Sequence, residues 1–385
     1  MGIRMTNTII PWWMYELTGD PLSLGLIGLA EVIPAISLAL YAGQVIDTSE
    51  KRSLMVKAIA SNTLIVVMLM VLAWAWNNEK ISPHSSTFLI YGCIACTGFI
   101  RAFSGPTSST LVGLIVPRAL LPNAVTLNSG SWLLSSVLGH ALGGFLIALF
   151  GLVGALCSTA VLMALGILFM SRLQLHPPLT GTNQVRSWQN IKEGLNFVKD
   201  TKEIFGTIIL DLFAVLFGGV VALIPVFAKD ILHVGPIGFG WLNAATDIGS
   251  MLTILALSLF PLIHHQGRWL IIAITGFGLC IIIFGLSTWY WLSFIALFIS
   301  GLFDGISVII RSTILQLKTP DHLRGRVMSV NSIFINSSNE LGQFESGVAG
   351  KLLGPVRAVL LGGLITLGVA GYAWWKMPDV KKIHY

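Results

Sequence analysis

Long apolar runs recur along most of this chain and constrain its fold more than any other feature. They begin at 22–46 and continue to 356–376, and a helix of about 20 apolar residues spans the hydrocarbon core of a bilayer. Of the 385 residues, 55% are hydrophobic and 10% are charged, whereas soluble domains carry roughly 25% charged residues. The sequence therefore predicts an all-α protein that crosses a membrane many times.

The apolar runs fall into two groups. Those long enough for a full span are 22–46, 53–76, 86–115, 126–150, 152–171, 205–228, 237–263, 269–288, 290–316, 327–353 and 356–376. The run 1–17 is shorter, and we interpret it as the second half of a helix. We expect an N-terminal six-helix bundle over 1–172, a cytoplasmic linker over 173–203, and a C-terminal bundle with a short tail over 204–385. Within the linker, the composition of 188–197 predicts an interfacial amphipathic helix.

The basic residues indicate the orientation. Most Lys and Arg residues lie in alternate loops and at the C-terminus, and loops rich in them stay in the cytoplasm. We expect a multi-pass protein of the cytoplasmic (inner) membrane with a cytoplasmic C-terminus. Because these residues are scattered over short loops, the net charge of +6 does not indicate nucleic-acid binding.

An internal repeat relates the two halves. Residues 97–117 (TGFIRAFSGPTSSTLVGLIVP) align without a gap on 300–320 (SGLFDGISVIIRSTILQLKTP) at an offset of 203 residues. A weaker similarity pairs 19–29 with 234–242. Two pairings in the same order predict parallel, pseudo-symmetric repeats about an axis along the membrane normal.

The few charged residues inside the spans indicate where a cavity lies, because such side chains face the bundle interior or water. In the repeat register Arg101 falls on Asp304, so opposite charges hold equivalent places. We interpret them as part of a cavity site; a structural salt bridge between two helices is the alternative. Arg311 follows Asp304 by two helical turns, on the same face and about 10 Å along the axis. Further ionisable residues within the spans include Glu31, Asp211, Asp247, Glu340 and Glu345.

Two sets of residues carry a resemblance to a known family. The segment Gly43-Gln44-Val45-Ile46-Asp47-Thr48-Ser49-Glu50-Lys51-Arg52 is similar to a G-x-x-x-D-x-x-x-R-R loop, with Lys51 in place of the first Arg. The strings at 15–35, 210–232 and 304–347 are typical of one exporter branch. The whole chain thus resembles the major facilitator superfamily and, within it, the branch of the enterobactin (siderophore) exporter.

The resemblance implies a major facilitator fold and secondary active transport. It assigns Gly43, Asp47, Lys51 and Arg52 to a cytoplasmic gate, and we expect Arg324, Gly325 and Arg326 to serve it. A glycine pattern that is linked to gating in antiporters reads Gly139-His140-Ala141-Leu142-Gly143-Gly144 here, with His140 in the position of a proline. Gly139, Gly143 and Gly144 still permit close helix packing, while the kink that proline causes is lost.

We therefore predict a proton-coupled exporter of a small molecule, either siderophore-like or amphipathic and drug-like. Asp211, Asp304 and Glu340 are the candidate proton carriers. Burial raises the pKa of a carboxylate and a nearby cation lowers it, so that the two together can adjust it for proton exchange. The candidate substrate-binding residues are Arg101, Arg311, Trp13, Asn7 and Glu31.

Other functions are less compatible with the sequence. Neither a P-loop, nor zinc-ligand spacing, nor a nucleophile elbow is present, so we predict no enzyme activity, no cofactor and no metal. The expected partners are the small-molecule substrate, protons and the lipid bilayer, with no nucleic acid, and we expect a monomer. Import of a small solute, or a non-transporting role as a membrane sensor or assembly protein, remain the alternatives.

Overall fold

The computed structural model describes residues 1–117, 120–173, 188–260, 262, 264–320 and 323–376, and this part of the chain is nearly all helical. The helices are α1 Gly2–Thr18, α2 Pro21–Thr48, α3 Lys51–Asn77, α4 Pro83–Ile115, α5 Leu121–Ser171, α6 Trp188–Asp200, α7 Lys202–Gly218, α8 Ile224–Val226, α9 Pro236–Leu259, α10 Gln266–Leu286, α11 Tyr290–Lys318, α12 Arg324–Leu353 and α13 Pro355–Lys376. A 3-10 turn, Val220–Leu223, precedes α8, and a π-helical turn, Phe227–Ile231, follows it.

Most of these helices are long and apolar enough to cross a membrane. Among the described residues, nine helical stretches meet that criterion. One of them, Thr126–Ser171, contains a break at Gly151 (φ 67°, ψ −175°), a conformation that glycine adopts without steric cost. The break separates the two spans predicted as 126–150 and 152–171. The remaining predicted spans correspond to α1, which has 17 residues, and to α12, which is long but too polar to qualify.

The span predicted as a single run over 205–228 is interrupted in the structure. Helix α7 ends at Gly218, and the chain continues through the 3-10 turn, α8 and the π-helical turn. The consecutive glycines Gly218 and Gly219 have low helix propensity. Pro225 lacks the backbone N–H of a regular helix. Hydropathy alone did not indicate this interruption.

The described helices divide into two compact units. The first contains Met1–Gly19 and Ala30–Ser187, and the second contains Asp20–Leu29 and Trp188–Tyr385. In the first unit, α5 packs against α1 and α3, and α4 packs against α3. In the second, α11 packs against α9 and α10, while α7 and α10 both pack against α13. The predicted linker includes α6, which packs on α12 of the second unit; linker residues 174–187 lie outside the described residues.

Candidate transport site

Glycines bring the charged segments of α9 and α11 close together. Gly301 lies against the backbone carbonyl of Thr246, and Gly249 lies against backbone atoms of α11. The Ser250 hydroxyl donates a hydrogen bond to the Gly301 carbonyl oxygen at 3.0 Å. Such small-residue crossings let two helix backbones approach closely in membranes. The crossing places Asp304 of α11 near Asp247 of α9.

A buried ion pair joins α7 to α11. The Arg311 guanidinium pairs with the Asp211 carboxylate, and the two side chains are only 9% and 8% exposed. The Arg311 Nε also donates to the Ser307 carbonyl oxygen at 3.3 Å, which orients the guanidinium along its own helix. Ile310 and Ile314 on α11 and Leu210 on α7 belong to the surrounding apolar core. The pair therefore lies in an environment with little water.

Asp304 extends this pair into a cluster of charges. It interacts electrostatically with Arg311 and Asp247, and Asp211 interacts electrostatically with Asp304. The cluster so defined, Asp211, Asp247, Asp304 and Arg311, contains three carboxylates and one guanidinium. Within a membrane span, carboxylates in excess of nearby cations repel one another, and binding of a proton removes that repulsion. The arrangement is chemically suited to proton exchange.

The first unit carries a different charged pair at the equivalent helix crossing. Arg101 Nη1 of α4 lies 2.8 Å from Glu31 Oε1 of α2, with the side chains 38% and 21% exposed. Gly98 packs against the backbone carbonyl of Glu31. Since Gly98 aligns with Gly301, and the register that aligns Pro21 with Pro236 aligns Glu31 with Thr246, both repeats form this crossing in the same way. Arg101, which the sequence pairs with Asp304 by position, thus bonds within its own unit.

The altered glycine pattern of α5 forms the seam with α1. Gly139 lies against Arg4, and Gly143 lies against Thr8. The Thr8 hydroxyl and His140 Nδ1 are 2.7 Å apart, and His140 is buried. Gly144 is buried in the same helix. Where a proline would kink the chain, a hydrogen-bonded histidine instead holds α5 to α1.

The other predicted substrate and proton residues differ in their exposure. Asn7 is exposed on α1, whereas Trp13 is fully buried, with its ring centroid 6.2 Å from that of Trp76. Glu340 is also buried, and its Oε2 accepts a hydrogen bond from Gln343 Nε2 at 3.2 Å. The side chain of Asn7 is therefore accessible, whereas that of Trp13 packs within the first unit.

The predicted gate residues lie at helix ends. Lys51 donates to the carbonyl oxygens of Ile46 and Ser49, where α2 ends, and Arg52 donates to the Ser171 carbonyl oxygen. Cations at a helix C-terminus interact favourably with its dipole. Gly43 is buried, and the Asp47 side chain lies outside the described part of the structure.

The second predicted gate segment begins α12. Arg324 and Gly325 are exposed there. Arg326 forms an ion pair with Glu193 of α6. The structure thus ties this segment to the linker helix.

Sequence reasoning missed several partners of these residues. It did not identify Glu31 as the partner of Arg101, Glu193 as the partner of Arg326, or the 2.7 Å ion pair between Asp20 and Lys351. Among the described residues, no three His, Cys, Asp or Glu side chains are grouped so as to hold a metal ion.

Comparison with known proteins finds relatives that are named as exporters. A multidrug efflux pump, Tap, from Mycolicibacterium fortuitum is 24% identical over 357 residues, which cover 90% of this chain and 85% of Tap. The enterobactin exporter EntS of Shigella boydii is 23% identical over 292 residues, covering 74% of this chain and 69% of EntS. Both are membrane transporters by name, and both match most of the chain.

Solved structures show the same fold at low identity. A mutant of the nucleoside transporter NupG superposes with a TM-score of 0.74 at 16% identity, covering 97% of this chain and 96% of that one. A D-xylose–proton symporter superposes with a TM-score of 0.72 at 12% identity, covering 100% and 98%. These likenesses confirm the predicted major facilitator fold. The model of the transmembrane secretion effector family matches residues 1–383, and the chain belongs to this family of major facilitator transporters.

Proposed function

We propose that the protein is a secondary active exporter, which moves an amphipathic small molecule out of the cell in exchange for protons. Membership in a secretion effector family and similarity to proteins named as efflux pumps support export. The observation that carries proton coupling is the buried Asp211–Arg311 pair with Asp304 beside it. A structural salt bridge alone needs one carboxylate for one guanidinium, whereas here a second carboxylate, that of Asp304, interacts with the same pair.

In the proposed mechanism, Asp304 takes up and releases the proton. The charge of Asp304 then determines how strongly Arg311 pairs with Asp211. When Asp304 is ionised, it competes with Asp211 for the same guanidinium. When it takes up a proton, the guanidinium is left to Asp211, and the repulsion between Asp304 and Asp247 disappears. The two states favour different arrangements of α7, α9 and α11. That difference is what a transporter needs in order to expose its site alternately to the two sides of a membrane.

The remaining predicted residues take supporting roles in this proposal. Glu340 is a second carboxylate for proton exchange, and Arg101, Glu31 and Asn7 offer polar contacts to the substrate. Trp13 contributes to the shape of the first unit through its packing on Trp76. The gate on the cytoplasmic side uses the segments 43–52 and 324–326, together with the glycines of 139–144. The chain-order division into bundles 1–172 and 204–385, joined by 173–203, belongs to the same proposal, as does a cytoplasmic-membrane location.

The test uses purified protein in lipid vesicles loaded with buffer of low internal pH. Substrate accumulation driven by the pH gradient is measured for the native protein and for Asp304→Asn. We expect the variant to lose gradient-driven accumulation, because the amide cannot take up and release the proton. Asp200→Asn is the matched control, since Asp200 is exposed at the end of α6, and it should keep native transport. Equal, pH-dependent accumulation by Asp304→Asn and the native protein would overturn the assignment.

The direction of transport is tested in the same preparation. Export with proton entry predicts accumulation inside vesicles whose lumen is acidic, and no accumulation when the gradient is reversed. Accumulation only with the reversed gradient would favour the import alternative. If no compound from a broad panel moves in either direction, the non-transporting alternative is favoured.

A further inference from the structure

Helices α10 and α13 of the second unit pack side by side in opposite directions. Gly278 of α10 lies against Leu367 of α13, and Gly285, further along α10, lies against Leu360. Since the contact moves back along α13 as it moves forward along α10, the start of α10 is level with the end of α13. Residues from both of these ends belong to one apolar core.

One stripe of α10 borders the exposed side of this contact. Its members are spaced by four, seven and three residues and so share one side of the helix; they are Arg268, Ile272, Leu279 and Ile282. Ile282 contacts Gly363 of α13. Ile272 and Leu279, in contrast, are exposed. The stripe therefore runs beside α13 with its outer part open.

A stripe of α13 borders the same contact from the other side. Its members alternate in spacing between four and three residues; they are Leu360, Leu364, Leu367, Gly371 and Trp374. Leu360 and Leu367 contact α10, whereas Leu364 and Trp374 are exposed. Gly371 has open space where a side chain would lie. These two stripes form the walls of a shallow groove, which is called the α10–α13 groove below.

Cations and tryptophans lie at one end of this groove. Arg268 begins α10, and α13 ends with Trp374, Trp375 and Lys376. All four side chains are exposed, and that of Trp375 is 80% exposed. The Lys376 Nζ lies over the Trp375 ring, 5.0 Å from its centroid, a distance at which a cation is attracted to an aromatic face. This end of the groove therefore presents two positive charges beside two indole rings.

The two charges are not balanced by carboxylates in the part of the chain that the structure describes. Within that part, neither Arg268 nor Lys376 forms an ion pair. Arg268 also lies in the first turn of α10, where the helix dipole disfavours a cation. The stability of the helix therefore does not account for its position, whereas an anion on a bound molecule does.

A phospholipid with an anionic headgroup matches each part of the groove. Both helices are apolar enough to span a membrane, so the exposed apolar walls meet acyl chains rather than water. Tryptophans collect where a membrane meets water, and basic residues at that level attract anionic headgroups. The distribution of basic residues predicts that this end faces the cytoplasm, and the cytoplasmic leaflet is the one that carries a negative surface potential.

We propose that the α10–α13 groove is a binding site for an anionic phospholipid. The lipid phosphate lies between Arg268 and Lys376, where a guanidinium binds two phosphate oxygens at once. The rings of Trp374 and Trp375 flank the glycerol region, and one acyl chain runs along the groove in the open space at Gly371. The inference does not depend on the direction or the substrate of transport.

The experiment follows thermal unfolding of the purified full-length protein in detergent, after native lipid has been removed. One compound is added at increasing concentration: dioleoyl phosphatidylglycerol, dioleoyl phosphatidylcholine or inorganic phosphate. The two lipids share their acyl chains and differ in the net charge of the headgroup, whereas inorganic phosphate supplies an anion without chains. A compound that binds the folded protein raises the unfolding temperature as its concentration rises, and this gives an apparent dissociation constant.

The first variants test the charges. Arg268→Gln and Lys376→Gln should each raise the apparent dissociation constant for phosphatidylglycerol about fivefold, the effect of one cation near an anionic headgroup. Arg268→Lys keeps the charge and should stay within twofold of the native value. The matched control is Arg357→Gln, since Arg357 is an exposed cation at the other end of α13, and it should also stay within twofold. Binding of phosphatidylcholine should be weaker in the native protein and should not change in any of these variants.

A further variant tests the groove without changing a charge. Gly371→Leu fills the open space at Gly371 and replaces a glycine by a better helix former, so that the protein should still fold. It should weaken binding of phosphatidylglycerol at least as much as the loss of one cation. Unchanged binding in this variant would contradict the placement of the acyl chain.

Three other outcomes would overturn the inference. Equal stabilisation of the native protein by the two lipids would show general membrane anchoring without selection for charge. Stabilisation by inorganic phosphate equal to that by phosphatidylglycerol would assign the cations to a free anion rather than to a lipid. Equal losses in Arg357→Gln and Arg268→Gln would show that the net charge of the protein, and not this groove, attracts the lipid.

Discussion

The guanidinium of Arg311 on α11 is ion-paired with the carboxylate of Asp211 on α7, and less than a tenth of either side chain is exposed. A pair of this kind contributes little net stability compared with apolar packing, but loss of one partner leaves an uncompensated buried charge. The pair is therefore a sensitive point of the structure. We expect a change in the charge beside it to alter the packing of α7 against α11.

Breaking this pair from either side should destabilise the protein strongly. We expect Arg311→Gln to lower the free energy of unfolding by about 3–5 kcal/mol, because it leaves Asp211 without its cation. Asp211→Asn leaves the Arg311 guanidinium without its paired carboxylate and should also lower the free energy of unfolding. The loss should be smaller, because Asp304 remains near Arg311. The double variant should lose less than the sum of the two single losses. Thermal unfolding in detergent measures all three, and additive losses would show that the two residues do not interact.

The glycine crossing of α9 and α11 should not tolerate a side chain. A Cβ on Gly301 would collide with the Thr246 backbone, and such overpacking costs about 1–3 kcal/mol. Gly301→Ala should therefore lower the unfolding temperature. Gly368→Ala is the matched control, because Gly368 on α13 has open space around its Cα. It should be neutral or slightly stabilising, since alanine favours the helix. Equal unfolding temperatures for the two variants would argue against the close crossing.

Two substitutions at the contact between α1 and α5 should differ in how much they lower the free energy of unfolding. Thr8→Val removes the hydrogen bond to His140 and should cost about 0.5–1.5 kcal/mol. His140→Pro restores the proline of the antiporter pattern but removes a helical N–H and adds a clash, which costs about 3 kcal/mol or more. Unfolding measured for both variants tests this order. A His140→Pro protein as stable as the native one would mean that α5 is already adapted to a kink.

Hydropathy and the internal repeat were sufficient to predict most of the fold. The spans, the boundary at Gly151 and the equivalence of Gly98 with Gly301 all follow from local composition and register. These features depend on residues close in sequence or related by a fixed offset. They are therefore readable without knowledge of three-dimensional contacts.

The side-chain partners were not predictable to the same degree. Arg101 and Asp304 occupy equivalent places in the repeat, which suggested that both contribute to one cavity site. In the structure Arg101 instead bonds Glu31 of its own unit, while Asp304 lies near Arg311 and Asp247. Which charged side chains form a pair depends on the rotation of each helix about its axis and on the side-chain rotamers. Neither leaves a periodic signal in the sequence. The interruption after Gly218 was missed for a similar reason, because its apolar composition resembles that of a continuous span.

The most direct measurement of the central claim separates substrate exchange from proton coupling in Asp304→Asn. Vesicles preloaded with unlabelled substrate are placed in labelled substrate without any pH gradient, and exchange across the membrane is followed. The same vesicles are then given the gradient, and net accumulation is measured. We predict that Asp304→Asn exchanges substrate at a rate near that of the native protein but accumulates none when the gradient is imposed. Gradient-driven accumulation at the native level by this variant would contradict the account.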